Sequence, residues 1–252
     1  MYNYTLYALY ATLFTWLLTI MGSSMVFFFK KINKNVLDAS LAIASGIMMS
    51  ASFWSLLNPA IKNALLLKQI PWLVTSLGFI FGGLFIFIAD KIFNSKLSKK
   101  NKSLGLLILS ITMHNIPEGM AVGIAFGLVK YGLENTTLTS AIMLALAIGL
   151  QNFPEGSAVS LPLRREGYSR FKSFLYGSIS AIVEPVFGII GAILTLKIRT
   201  IMPFLLSFAA GAMIYVIVEE LIPESQTNKN KSLMTIFTLI GFMIMMILDT
   251  IM

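Results

Sequence analysis

The chain has 252 residues, of which 57% are hydrophobic and only 12% are charged, whereas an average soluble domain has about 25% charged residues. This composition is typical of a membrane protein and excludes an ordinary soluble domain, and the lack of cysteine excludes disulfides, thiolate metal sites and thiol redox motifs. The formal net charge is +8, but the basic residues lie between apolar runs, so we interpret them as topology signals and predict no nucleic-acid partner.

Eight apolar stretches are long enough to cross a bilayer, which takes about 20 residues. We number them as spans 1 to 8, at approximately residues 4–29, 36–60, 71–94, 104–130, 137–163, 171–197, 200–223 and 232–252. They use nearly the whole chain, so we predict one transmembrane domain over residues 1–252. No basic region precedes the first run, which we expect to remain as a membrane helix. Because the alternating pattern of a barrel is missing, the predicted fold class is all-α, a polytopic helical bundle.

The basic residues predict the orientation of the spans. With the N-terminus outside, the cytoplasmic loops hold fourteen of the 19 lysines and arginines, and the external loops hold five. This bias and the even number of spans predict a multi-pass protein of the cell (inner) membrane with both termini outside. The lysine cluster at residues 96–102 is most simply a solvated cytoplasmic loop, with binding to anionic membrane lipids as the alternative.

A polar motif occurs twice, in spans 4 and 5. The first copy is His114-Asn115-Ile116-Pro117-Glu118-Gly119, and the second is Gln151-Asn152-Phe153-Pro154-Glu155-Gly156. Six of ten aligned residues are identical from positions 114 and 151 onward. Because consecutive spans run in opposite directions, the copies form an inverted repeat around the central spans 4 and 5, an arrangement that places transporter sites at the bilayer midplane.

Depth and spacing bring these polar residues together. His114, Gln151 and Glu184 lie about 10 to 14 residues into spans 4, 5 and 6, which at about 1.5 Å per residue is near the middle of the bilayer. His114 and Glu118 are four residues apart, as are Gln151 and Glu155, so each helix gathers its polar side chains on one face. Two such faces opposed form a cage.

Three carboxylates at this depth, from Glu118, Glu155 and Glu184, repel one another in a low dielectric unless cations or protons accompany them. No lysine or arginine lies at midplane depth in any span. A protonated glutamate that merely packs the bundle is the alternative, but two motif copies together with Glu184-Pro185 favour a divalent cation. Imidazole, carboxylate and amide ligands suit zinc first, with iron, manganese and cadmium also compatible.

The two motifs and Glu184-Pro185 resemble those of the ZIP (Zrt/Irt-like) metal transporters, most closely the GufA-like bacterial branch. The resemblance implies a binuclear metal centre in which the two central glutamates bridge the ions. The first site it implies comprises His114, Glu118, Gln151 and Glu155, and the second comprises Asn115, Glu118, Asn152, Glu155 and Glu184. Because Gln151 and Asn152 stand where relatives often carry histidine or aspartate, the second site is expected to bind more weakly or to regulate.

The resemblance also implies movement of metal into the cytoplasm by an elevator-like, alternating-access mechanism. In it, spans 1, 4, 5 and 6 slide or rock against spans 2, 3, 7 and 8. A homodimer is implied as well. Glu219 and Glu220, near the end of span 7, resemble part of a family segment, and we expect them to form a metal exit point or simply an acidic helix end. Asp38, Asp90 and Asp249 lie near span ends and are expected to be interfacial.

The sequence therefore predicts a divalent metal transporter that is not an enzyme and that needs no cofactor beyond the bound or transported ion. A proton-coupled carrier of a small organic solute is the first alternative, with Glu118, Glu155 and Glu184 as proton relays. An intramembrane metallohydrolase is the second, although the single histidine of the chain argues against a His-Glu-x-x-His zinc site. A passive channel with the same site is the third.

Overall fold

A computed structural model describes residues 3–28, 33–96, 99–132 and 137–251, and within these ranges the regular structure is entirely helical. Lys30, Lys31 and the side chains of the lysine cluster at 96–102 lie outside the described part of the chain. The α-helices are, in order, α1 (Tyr4–Ser24), α2 (Lys34–Ala51), α3 (Asn58–Leu66), α4 (Pro71–Lys96), α5 (Lys99–Tyr131), α6 (Leu138–Arg165), α7 (Arg170–Ile179), α8 (Val183–Ile193), α9 (Thr195–Ile198), α10 (Met202–Val216), α11 (Ile222–Ser225) and α12 (Lys231–Ile251).

Six helical segments of the described chain are long and apolar enough to cross a membrane. They correspond to predicted spans 1, 2, 3, 6, 7 and 8 and comprise Tyr4–Phe27, Lys34–Leu66, Pro71–Ile92, Arg170–Ile193, Met202–Ser225 and Lys231–Ile251. The long helices α5 and α6, which correspond to spans 4 and 5, are not among them. Both carry a copy of the polar motif, and its imidazole, amide and carboxylate groups lower the mean hydropathy of the helix.

Four of the predicted spans are less regular than a single α-helix, and span 1 ends in a 3₁₀ turn at Met25–Phe27. Span 2 passes through a π-helical segment at Ser52–Leu57 before Pro59, and span 7 passes through another at Ile217–Leu221 before Pro223. A wider turn accommodates a proline ring that would otherwise clash with the preceding turn. Span 6 is interrupted by a turn between α7 and α8, and Pro185, which has no amide hydrogen, lies in the first turn of α8.

The helices pack as two bundles, which we define by their closest contacts. In the first bundle α1 packs along α6 and α5 packs along α8, and α1 also touches α5, α7 and α8. In the second bundle α2 packs along α12 and α4 packs along α10, with α3 against both α4 and α10. The bundles meet mainly where α5 contacts α10 and α4, and where α2 contacts α6.

Glycines on both partners allow each of the four closest helix pairs to approach at backbone distance. In the pair α1 and α6, a Cβ at Gly22 would overlap the carbonyl oxygen of Phe153, and a Cβ at Gly156 would overlap that of Thr19. The other pairs repeat this reciprocal arrangement through Gly123 and Gly191, Gly46 and Gly241, and Gly82 and Gly211. These contacts all fall within a bundle, and none joins one bundle to the other.

We predict that Gly82→Ala destabilises the protein whereas Gly83→Ala does not. A Cβ at Gly82 would meet the backbone of Phe208 on α10, whereas the nearest atom to a Cβ at Gly83 is the Gly211 oxygen at 3.7 Å. Forcing α4 and α10 apart should cost about 1–3 kcal/mol, while alanine is otherwise the better helix former by about 1 kcal/mol. Thermal unfolding of the two variants in detergent measures this, and equal melting temperatures would contradict the glycine contact.

Candidate metal centre

Both motif copies lie on continuous helices with their polar side chains facing the interior of the first bundle. Pro117 is inside α5 and Pro154 is inside α6, and neither ends its helix. His114 is 1% exposed, and the other predicted motif ligands on these two helices, Asn115, Glu118, Gln151, Asn152 and Glu155, are 0% exposed. The spacing of three and four residues therefore places both sets of side chains on buried faces, as the sequence indicates.

Side chains from the two copies meet across the space between α5 and α6. One ligand atom from each of His114, Glu118 and Glu155 lies within 4.8 Å of the others. Nε2 of His114 is 3.0 Å from Oε2 of Glu155, and Nε2 of Gln151 donates a hydrogen bond of 2.6 Å to Oε1 of Glu118. The structure thus brings together His114, Glu118, Gln151 and Glu155, the four residues of the first predicted site.

Five buried oxygens of the motif accept no hydrogen bond from the described residues. They are Oδ1 of Asn115, Oε2 of Glu118, Oε1 of Gln151, Oδ1 of Asn152 and Oε1 of Glu155. Leaving such an oxygen buried without a donor costs about 1–3 kcal/mol, and more when it carries charge. A divalent cation binds carboxylate and amide oxygens, so it compensates several of these groups at once.

Glu184 lies beside this group and is held differently. It is fully buried in the first turn of α8, where the helix dipole favours a negative charge. Nδ2 of Asn152 donates to its Oε1 at 2.9 Å and to its Oε2 at 3.0 Å, and the hydroxyl of Thr15 donates to Oε2. Gly119 lets the backbone of Glu184 approach α5 closely. Glu184 therefore connects to the second motif copy through Asn152.

Sequence reasoning missed Thr15. It belongs to a series of hydroxyl residues on α1, spaced three or four residues apart and all 0% exposed: Thr12, Thr15, Thr19 and Ser23. This spacing predicts that the four side chains share one face of α1, but it does not indicate which other helix that face contacts. The carbonyl oxygen of Thr15 also accepts a hydrogen bond of 3.3 Å from Asn152. Asn115, by contrast, donates to the carbonyl of Ser180 at 3.4 Å.

The acidic residues outside the centre have separate surroundings. Glu219 is exposed and Glu220 is half-buried on the second π-helical segment, and neither belongs to the group formed by His114, Glu118 and Glu155. The neighbouring Glu224 forms an ion pair with Arg165 at the end of α6, so the second bundle contacts the first bundle there.

The aspartates near span ends are more buried than the expected interfacial position suggests. Asp38 is 0% exposed and accepts a hydrogen bond of 2.9 Å from Asn228, and Asp90 is 8% exposed. Oδ1 of Asp249 accepts a hydrogen bond of 2.9 Å from Ser55. The amide of Asn228 donates to one of the two carboxylate oxygens of Asp38 and so connects α2 to the segment before α12.

A cavity of about 460 Å³ lies between the two bundles. Its polar lining comes from Ser55 and Asp249 of the second bundle and from Thr137, Thr139 and Ser140 at the start of α6. A second cavity of about 290 Å³ shares Ser55 and Ser140 and extends along α5 and α10. Polar groups therefore line part of the boundary between the bundles, near the N-terminal end of α6.

Comparison with known proteins finds similarity to proteins named as zinc transporters. The family described as ZIP zinc transporter matches residues 95–249. The human protein "Zinc transporter ZIP11" is 34% identical over 96% of this chain and 96% of its own length. "Zinc transporter ZIPB" of Bordetella bronchiseptica is 31% identical over 92% of this chain and 77% of its own length, and "Zinc transporter GufA" of Myxococcus xanthus is 36% identical over 60% and 57%.

We predict opposite effects of Glu118→Gln with and without zinc. Without zinc, the neutral side chain removes charge repulsion with Glu155, so the melting temperature in detergent should rise. With excess zinc, the wild type should gain stability in proportion to the logarithm of zinc concentration over the dissociation constant, whereas the variant should gain much less. Glu166→Gln, at the half-buried position that follows α6 and lies outside the candidate centre, is the matched control. A variant with the same zinc-induced shift as the wild type would contradict the metal centre.

Proposed function

The chain belongs to the ZIP family of zinc transporters, and from this premise we propose that it carries a divalent metal ion, zinc first, across the membrane toward the cytoplasm. The observation that carries the proposal is the set of five buried oxygens around His114 that accept no hydrogen bond within the described part of the chain. Iron, manganese and cadmium are further candidate substrates, because the same ligand types accept them. The relatives are named as transporters and not as enzymes, which leaves the metallohydrolase without support.

Two ions bridged by Glu118 and Glu155 form the proposed transport site. His114 and Gln151 complete the first ion's ligands, and Asn115, Asn152 and Glu184 complete the second's. The proximity of His114, Glu118 and Glu155 supports the first site. The bonds from Asn152 to Glu184 support the second, because they leave Oδ1 of Asn152 available as a ligand.

We propose that α5 and α6 also cross the membrane, which gives eight spans with both termini outside. With 33 and 28 residues, these helices are about 50 Å and 42 Å long, longer than the hydrocarbon core of about 30 Å. Their polar groups face the interior of the first bundle, so they need not meet lipid. The distribution of basic residues supports the orientation, and the bacterial relatives support the inner membrane as the location.

Alternating access is the proposed mechanism, with the first bundle moving against the second. The side chains of the metal centre come from α5, α6 and α8, which all belong to the first bundle, so the ions would travel with it. The cavity that Asp249 lines would lie on the outer side, and the pair of Arg165 and Glu224 would close the cytoplasmic side. Glu219 and Glu220 would receive the ion on exit. A homodimer is the expected assembly.

We predict that zinc-65 uptake into proteoliposomes saturates with zinc concentration and disappears in Glu118→Ala and in Glu155→Ala. Each change removes a carboxylate that both proposed sites share. Glu134→Ala, which removes a carboxylate between predicted spans 4 and 5 and outside both motif copies, should transport like the wild type. Flux that persists in both glutamate variants would refute the proposal, and uptake of an organic solute without any metal requirement would favour the proton-coupled carrier.

We also predict that uptake increases with pH across the titration of the buried glutamates. Protons and zinc compete for the same carboxylate oxygens, so protonation at low pH lowers zinc occupancy and deprotonation at higher pH restores it. Initial rates of zinc-65 uptake, measured at constant free zinc with equal pH on both sides, test this sign. A flat or falling profile over that range would contradict carboxylate ligation.

A further inference from the structure

We propose that Thr15 is a positioning residue for metal binding, acting through Glu184, and this inference rests on the proposed function of the site. Thr15 lies on α1, outside both motif copies, and is 0% exposed. Its hydroxyl donates a hydrogen bond to Oε2 of Glu184, across the contact between α1 and α8. Thr15 is not itself a proposed metal ligand, so it would act on a bound ion only through Glu184.

Thr15 and Asn152 together hold the Glu184 carboxylate at both oxygens. Nδ2 of Asn152 lies 2.9 Å and 3.0 Å from the two oxygens of Glu184 and 3.3 Å from the carbonyl oxygen of Thr15. Thr15 therefore orients the carboxylate directly with its hydroxyl and also orients the amide that binds the same carboxylate. Glu118 and Glu155 differ, since each keeps one oxygen without a hydrogen-bond donor among the described residues.

This arrangement orients Glu184 without consuming its capacity to bind a cation. A carboxylate oxygen has two lone pairs, and Oε1 accepts only the amide of Asn152 among the described contacts, so it still has a lone pair for a metal ion. The hydroxyl of Thr15 has one hydrogen and two acceptors in range, Oε2 of Glu184 and the carbonyl oxygen of Thr12 at 3.0 Å. The charged oxygen is the stronger acceptor, so the hydrogen goes to Glu184. Removing such a partner of a ligand typically lowers metal affinity by about 10- to 100-fold.

Thr12 supplies a matched control on the same helix. It is equally buried, its hydroxyl bonds to the carbonyl of Ala8 at 2.8 Å, and its side chain packs against Gly188 one turn beyond Glu184. No bond joins its hydroxyl to a carboxylate among the described contacts. Thr12→Val and Thr15→Val thus make the same chemical change in the same interface, and only the second removes a bond to Glu184.

The test is a double-mutant cycle on the full-length protein in detergent, with zinc binding measured by calorimetry. Thr15→Val should raise the zinc dissociation constant by about 10- to 100-fold. Thr15→Ala, which also removes the hydroxyl but leaves a smaller side chain, should raise it as well. Thr15→Ser, which keeps the hydroxyl, and Thr12→Val should remain near the wild type. In a Glu184→Gln background, adding Thr15→Val should change the constant by no more than about twofold. The KM for zinc-65 uptake should rise in parallel with the dissociation constant.

The outcomes separate this inference from the function on which it rests. An equal loss of affinity from Thr15→Val in both backgrounds, or an equal loss from Thr12→Val, would show a packing effect and overturn the role of Thr15. Unchanged affinity in Thr15→Val and Thr15→Ala would overturn it as well. A wild-type protein that binds no zinc would refute the metal centre itself and the inference with it.

Discussion

The structure depends on burying three carboxylates without a lysine or arginine partner among the described residues. Glu118, Glu155 and Glu184 are each 0% exposed; Gln151 donates to Glu118, Asn152 and Thr15 donate to Glu184, and the imidazole of His114 contacts Glu155. A lysine or arginine at any of these positions would neutralise the group with a fixed ion pair. Neutral donors orient the carboxylates without neutralising their negative charge. A cation that binds reversibly can supply the missing positive charge.

The architecture keeps this centre within one bundle. α5 and α6 carry the two motif copies, α8 carries Glu184 in its first turn, and α1 lies against both α6 and α8. The interruption before α8 contributes to this arrangement. It places Glu184 in the first turn of α8, where backbone amides that have no partner within the helix favour an anion. A continuous span 6 would place the same carboxylate in mid-helix, without that support.

Local pattern was sufficient to predict which helix faces carry the motif side chains but not what surrounds them. The spacing of His114 and Glu118, and of Gln151 and Glu155, fixes the helix face that each pair shares, and the burial of both faces confirms that part. Thr15 could not be identified in this way, because its contact with Glu184 joins residues 169 positions apart and threonines at helical spacing are common in packed interfaces. The hydrogen bond from Asn228 to Asp38 likewise joins residues 190 positions apart. Within the described residues, hydropathy alone supports six spans, because the polar groups of the two motif copies lower the hydropathy of α5 and α6.

The glycine contacts have a mechanical and an evolutionary consequence. Where backbone packs directly on backbone, as at Gly22 and Phe153 or Gly82 and Phe208, no side chain is available to change rotamer and absorb a displacement, so each bundle is stiff. The boundary between the bundles has side chains and cavities instead, so it is the compliant layer of the molecule. In the proposed mechanism, substitutions there would alter the rate and extent of the movement between the bundles and leave the positions of the candidate ligands unchanged. Transport rate and ligand chemistry would then be separately adjustable in one small chain.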